Sequence, residues 1–215
     1  TPSILVDAVV VVPDMKNHMQ TFNTQYNPGF SGEHRLGASA FTPAEMGPKK
    51  IIARRAAMEL KKGSVVNLGI GIPEYISNVA TEEGILDHFT LTVESGITGG
   101  SPQSGLGFGV SLNPESIISQ PSMFDFYQGG GLDQAFLGFA ESDPEGNVNV
   151  SKFGPKLPGC GGFIDISQNA KQVFFCGTFT AKGLKVEVKD GQLHILQDGS
   201  ISKFQQSIEH ITFSA

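Results

Sequence analysis

Cysteine is almost absent from this 215-residue chain, which carries only Cys160 and Cys176. The two form no C-x-x-C pair and stand in no Cys/His cluster, so neither a zinc site nor a disulfide framework is indicated. That scarcity fits a reducing compartment. Long apolar runs are missing too: no stretch approaches the roughly 20 residues a bilayer-crossing helix needs, and nothing has the charged start and apolar core of a secretory signal. The expected setting is the cytoplasm, with no membrane partner. Basic blocks are equally lacking. Lys+Arg number 15 against 21 Asp+Glu, a formal net charge of -6, which removes the broad positive footprint of a nucleic-acid binder. An anionic ligand must therefore be held by backbone donors or single lysines. His18, His34, His88, His194 and His210 are scattered without ligand spacing, so no metal is expected and no histidine is given a catalytic role.

Glycine, by contrast, is abundant. The 27 glycines exceed the roughly 7% of average usage and bunch at 69–71, 96–109, 129–131 and 159–162. Such clusters suggest turns that face a ligand, although glycine also serves turns that do nothing else.

The most informative stretch is Val93-Glu94-Ser95-Gly96. In Phe89-Thr90-Leu91-Thr92-Val93 the large apolar side chains alternate, which predicts a half-buried strand with Glu94 at its carboxyl end. In open α/β sheets the ligand crevice lies at that end. The run from Gly96 to Gly109, with six glycines, offers bare backbone that a substrate can approach closely. A carboxylate placed there can act as base, nucleophile or ligand holder, whereas an arbitrary strand-end glutamate simply faces water.

Along the chain, Leu5 to Val12 reads as a strand stopped by Pro13, and residues 1–47 as an N-terminal strand and extended arm. Residues 48–215 form the predicted α/β domain. Pro48 to Leu60 has helical spacing with a stop at Gly63. A strand at Ser64 to Leu68, the turn Gly69-Ile70-Gly71-Ile72-Pro73 and a helix from Pro73 to about Thr81 compose a potential phosphate cradle, though the third glycine of the dinucleotide fingerprint is missing. Further strands are expected over Asp133 to Ala140, Val148 to Phe153 and Gln172 to Cys176, and helices near Ser122 to Tyr127 and Phe163 to Ser167. Leu184 to Lys189 and Leu193 to Leu196 read as a hairpin around Asp190-Gly191. The expected class is thus α/β, a mostly parallel sheet flanked by helices with a late antiparallel hairpin. Ile208 to Phe213 looks like the start of another strand. Strands without partners at the termini would leave open edges, so the chain is expected to be a fragment or a subunit of something larger.

Five segments together carry a family resemblance: Asn67-Leu68-Gly69-Ile70-Gly71-Ile72-Pro73, Val93-Glu94-Ser95-Gly96, Gly129 to Gly138, Gly146-Asn147-Val148-Asn149-Val150, and Gly159-Cys160-Gly161-Gly162-Phe163-Ile164-Asp165. In order and spacing they resemble family I coenzyme A transferases over roughly Ala8 to Ala215, specifically the catalytic half, which is the β subunit or the C-terminal domain. The fused acetate, propionate or acetoacetate branch is the most similar. The resemblance implies a ribose-5-phosphate isomerase/CoA transferase-like fold and a role in short-chain fatty acid or ketone body metabolism. It implies Glu94 as the nucleophile, forming an acyl-glutamyl anhydride and then a glutamyl-CoA thioester, with a backbone N–H of Gly161 or Gly162 for the oxyanion. Asn67, Gly69, Ile70 and Gly71 would bind part of CoA. Lys152 and Lys156 could neutralise its phosphates, or be ordinary solvated lysines.

Coenzyme A is a substrate in this scheme, and no cofactor is implied. The implied partners are acyl-CoA, short-chain carboxylates, an N-terminal or α half that completes the acyl pocket, and further copies in a homo-oligomer. Cys160 is expected to be a small buried hydrophobe, since the mechanism needs no thiol. Three rival readings stay open on the same residues: a sugar-phosphate isomerase, an acyl-CoA hydrolase, and a non-catalytic domain that holds CoA or a nucleotide.

Overall fold

Short β-branched and aromatic segments pair into one central sheet in a computed structural model that describes residues 2–37 and 43–215. Its strands are β1 (Val65–Leu68), β2 (Thr90–Val93), β3 (Ile97–Thr98), β4 (Ser116–Ile117), β5 (Gln134–Gly138) and β6 (Gln172–Cys176), in the order β6-β5-β1-β2-β3-β4. From β6 to β2 all neighbours are parallel, and β3 and β4 add an antiparallel edge. The mostly parallel α/β sheet expected from the sequence is therefore present.

Helices cover both faces. On one, α1 (Pro48–Ala57) and α2 (Tyr75–Glu82) bury Ala53, Ala56, Ile76 and Val79 against Val66, Leu68, Leu91 and Phe136. Phe136 is fully buried and stacks on Phe174 with ring centroids 4.7 Å apart, which stabilises the fold by about 2 kcal/mol through burial alone. On the other face, α3 (Gln120–Phe126) and α4 (Phe163–Asn169) pack Met123, Tyr127 and Ile166 against Ala135 and Leu137. Parallel strands covered on both faces lose the alternation of a half-exposed sheet. Thus β2, expected to be half-buried, has Leu91, Thr92 and Val93 all buried.

Other expectations need correction. Leu5 to Val12 forms no sheet among the described residues: a 3-10 turn at Ser3–Leu5 leads into extended chain, with Val10 83% exposed. β-Branched residues favour extension, but no neighbouring strand is there to close the ladder. Ile208 to Phe213 contributes a single bridge between Phe213 and Val148. Val148 to Phe153 shrinks to a two-residue strand, Val148–Asn149, paired with Glu141–Ser142. Helix α1 stops at Ala57 instead of Leu60 because the next turn tightens, with Glu59 and Leu60 N–H bonded three residues back. The glycine-rich run after Glu94, expected to offer bare backbone, is not open loop throughout: it holds β3 and one strand of a small hairpin, Ser101–Pro102 with Ser111–Leu112. The late hairpin is present as β7 (Lys185–Lys189) and β8 (Gln192–Gln197). Among the described residues, no helix is long and apolar enough to cross a membrane.

Candidate active site

Parallel register builds the site. Asn67 in β1 lies opposite both Thr92 in β2 and Ala135 in β5. Side chains two apart share a face, so Glu94, just past the end of β2, continues the face of Thr92 on the α3 and α4 side. The turn from β2 to β3 is closed by Gly96 N–H donating to Val93 O at 3.0 Å. Gly96 has φ +117, and a Cβ there would overlap the Ile118 carbonyl. Only glycine can make this turn, which fixes where Glu94 emerges.

Glu94 is half-buried. Asn67 Nδ2 donates to Glu94 Oε2 at 3.1 Å and sits 3.3 Å from Tyr127 Oη. Tyr127 in turn donates to Thr92 Oγ1 at 2.8 Å, and Thr92 donates to Val66 O at 3.0 Å. Asn67 and Tyr127 are both 0% exposed. A carboxylate only accepts, so the amide face turned to Glu94 must be the NH2. Asn67 Oδ1 is left buried without a partner among the described residues. Burial pushes the Tyr127 phenol up to about 12; hydrogen bonds with Thr92 and Asn67 oppose that shift and the Glu94 charge adds to it. Tyr127 therefore stays a neutral hydrogen-bonding wall beside the carboxylate.

Of the other expected site residues, the glycine turns connect to this end of the sheet, and no contact among the described residues brings Lys152 or Lys156 to it. Gly69 N–H bonds Phe136 O at 2.8 Å, and Gly69, Ile70 and Gly71 form the turn at the carboxyl end of β1, with Ile70 exposed. Gly162 opens α4, and a Cβ there would come within 2.7 Å of the Phe124 ring. Phe124 meets Tyr127 edge-on at 5.9 Å, so the Gly159 to Gly162 turn reaches the Glu94 cluster through two aromatic rings. The N–H groups of Gly161 and Gly162 donate to no acceptor among the described residues. Lys152 pairs with Glu209 at 3.4 Å, and Lys156 is exposed. Cys160 is partly exposed and not the buried hydrophobe expected, because it lies in the open glycine turn; Cys176 is the buried thiol, pushed by burial up to about 11.

The sequence reading missed two contributors: Tyr127 and Thr92. Thr92 was within reach, being two residues before Glu94 on the same strand face. Tyr127 gave no signal, since only the packing of α3 brings it in. A cavity of about 990 Å³ lies away from Glu94, lined in part by Gly63, His88 and Thr90 at the amino ends of β1 and β2. Geometry and chemistry single out the opposite end of the sheet, where a half-buried carboxylate has one oxygen held by Asn67 and the other without a partner among the described residues. That is equipment for attacking an electrophilic carbonyl.

Residues 49–182 match the family described as Coenzyme A transferase. The chain is 47% identical over 214 residues to the acetate CoA-transferase YdiF of Escherichia coli K12, covering 99% of this chain and 40% of that protein. It is 45% identical over 218 residues to the caffeate CoA-transferase of Acetobacterium woodii, covering 99% of this chain and 41% of that protein. A crystal structure of the acyl-CoA transferase YdiF from E. coli O157:H7, a thioester complex with CoA, superposes with TM-score 0.73 at 48% identity, covering 81% of this chain and 33% of that one. The chain thus spans about two-fifths of the length of the curated relatives it matches. A fold with its carboxylate at the carboxyl end of a strand in a mostly parallel sheet, matched over most of its length by these proteins, has one assignment: the chain belongs to the coenzyme A transferase family.

Proposed function

We propose that this chain supplies the nucleophile-bearing half of an enzyme that moves coenzyme A between a short-chain acyl-CoA and a carboxylic acid. The observation that carries the reading is the half-buried Glu94 carboxylate, gripped through Oε2 by Asn67 at 3.1 Å. In the first step a Glu94 carboxylate oxygen bonds to the thioester carbonyl carbon. The C–S bond breaks, leaving an acyl-glutamyl anhydride and CoA thiolate. The thiolate then attacks the glutamyl carbonyl of the anhydride, the donor acid leaves as its carboxylate, and a glutamyl-CoA thioester remains. A second carboxylate reverses the two steps and departs as the new acyl-CoA. No net proton, electron or water is consumed, so a weak carboxylate nucleophile suffices for an exchange of nearly equal energies.

Negative charge on the attacked carbonyl oxygen needs donors. The unengaged N–H groups of Gly161 and Gly162 suit that role, each donor of this kind being worth about 3 to 4 kcal/mol. The Gly69-Ile70-Gly71 turn would lie against part of CoA, and Lys152 would reach its phosphates by leaving Glu209. The side chain of Asn67 is committed to Glu94, so its contact with CoA would run through backbone. A complementary half, matching the remaining length of the relatives, would complete the acyl pocket. The relatives are named for acetate and for caffeate at similar identity, so likeness at this level does not select the acid.

The test is mass spectrometry of the complete enzyme incubated with acyl-CoA and then trapped with borohydride or hydroxylamine. Modification at Glu94, abolished in Glu94→Ala, supports the reading, and Glu94→Asp should be nearly inactive because its carboxylate is withdrawn by one methylene. If Glu94→Ala still exchanges label between acyl-CoA and acid, the nucleophile assignment is wrong. Acyl loss without an acceptor acid would instead point to a hydrolase.

A further inference from the structure

A second carboxylate lies buried at the same end of the sheet. Glu74 follows the Gly69 to Pro73 turn at the entry to α2, and it is only 7% exposed. Its Oε2 accepts the Gly105 N–H at 3.3 Å, and its Oε1 has no partner among the described residues. Burial raises its pKa from the ordinary carboxylate value, opposed by the Gly71 and Gly105 amides and by Lys49. The Gly71 amide favours the charge without closing a hydrogen bond on Oε1. A desolvated acid that lacks a full set of partners costs stability. Placing one here calls for a reason.

Gly105 supplies it. The segment Gln103 to Val110 is a loop closed by Gln103 N–H donating to Val110 O at 2.9 Å. It is tied at two further points. Glu74 holds it at Gly105, and Ser95 Oγ donates to Gly109 O at 2.6 Å. Ser95 is the residue after Glu94. Beside it, Ser77 Oγ on α2 reaches Pro102 O at 3.2 Å. The loop is thus strung between the turn that leaves β1 and the turn that presents the nucleophile.

Resting on the transferase reading, we propose that Glu74 is a positioning residue for Glu94: it clamps the Gln103 to Val110 loop, whose far end fixes Ser95 and with it the backbone of the attacking carboxylate. Glu74 touches no reacting atom in this scheme. It determines how long Glu94 spends in its attacking orientation, so its loss should appear in the covalent step and not in acyl-CoA binding. A displacement of about 1 Å in a reacting group is enough to lose on the order of 100-fold in rate.

The experiment measures, in the complete enzyme, the single-turnover rate of glutamyl-CoA formation and hydrogen exchange across residues 103–110. Glu74→Ala should slow the covalent step by about 10- to 100-fold, leave KM for acyl-CoA within about threefold and speed exchange at Gly105 to Gly109. Glu74→Gln keeps an acceptor for the Gly105 N–H and should restore most of both. Ser95→Ala cuts the other tie, and because both act through one loop the double variant should be no slower than the slower single variant. The proposal is overturned if Glu74→Ala forms the thioester at the wild-type rate. It is equally overturned if the rate falls with loop exchange unchanged, or if the two substitutions multiply independently. Persistence of exchange activity in Glu94→Ala would sink the nucleophile reading itself, a separate result from any of these.

Discussion

Asn67 holds Glu94 by one oxygen: the amide nitrogen of the fully buried asparagine lies 3.1 Å from Oε2. A carboxylate held in this way presents Oε1 as the oxygen without a partner among the described residues. The amide also gives the carboxylate a neutral partner, without the neutralising contact a lysine would make. In the proposed mechanism this one contact orients the attacking carboxylate.

Removal of that grip is the first prediction. Asn67→Ala should lower the rate of glutamyl-CoA formation by about 10- to 100-fold, the equivalent of a hydrogen bond to a charged group, about 1.5 to 3 kcal/mol. Asn67→Asp should be slower still, because a second carboxylate 3.1 Å away opposes ionisation of the first. Single-turnover kinetics with radiolabelled acyl-CoA decides it; equal rates for wild type and Asn67→Ala would remove Asn67 from the mechanism.

The second concerns the turn that presents Glu94. Gly96→Ala places a Cβ against the Ile118 carbonyl at φ +117, adding backbone strain of about 1 to 3 kcal/mol before any clash is relieved. The variant should melt several degrees lower and lose most of its transfer activity, since relief of the overlap must move either β4 or Glu94. Calorimetry and an activity assay on the same preparation test this, and a variant with unchanged melting point and rate contradicts it.

The third is a pH dependence. The Tyr127 phenol is raised from 10.0 to about 12, chiefly by burial, so the native state keeps a proton that the unfolded chain releases. The associated stability is complete below pH 10 and is lost as pH rises from about 10 towards 12. Tyr127→Phe deletes the bonds to Thr92 and Asn67 and should cost about 1 kcal/mol at neutral pH. Its stability should fall less steeply than wild type between pH 10 and 12. Urea midpoints across that range supply the comparison, with the burial-raised Cys176 thiol present in both proteins as a common background.

The limits of reading sequence show at particular residues. The strands β1, β2, β5 and β6 were legible within a residue or two because each is an apolar run bounded by glycine, proline or charge. The run Val9 to Val12 carries the same signal and pairs with nothing among the described residues, because a ladder requires a neighbour that local composition cannot report. Thr92 looked like the solvent side of a half-buried strand until α3 covered it and turned that side into core.

Local pattern therefore established the class of fold and singled out Glu94 and its glycine turns, since both depend on side-chain periodicity and on which backbone angles a residue tolerates. The grip of Asn67, the neutral Tyr127 wall and the Glu74 clamp depend on residues 27, 60 and 31 positions apart being brought within hydrogen-bond reach. Distances of that kind are set by how strands register and helices pack, and they exist only once the chain has closed on itself.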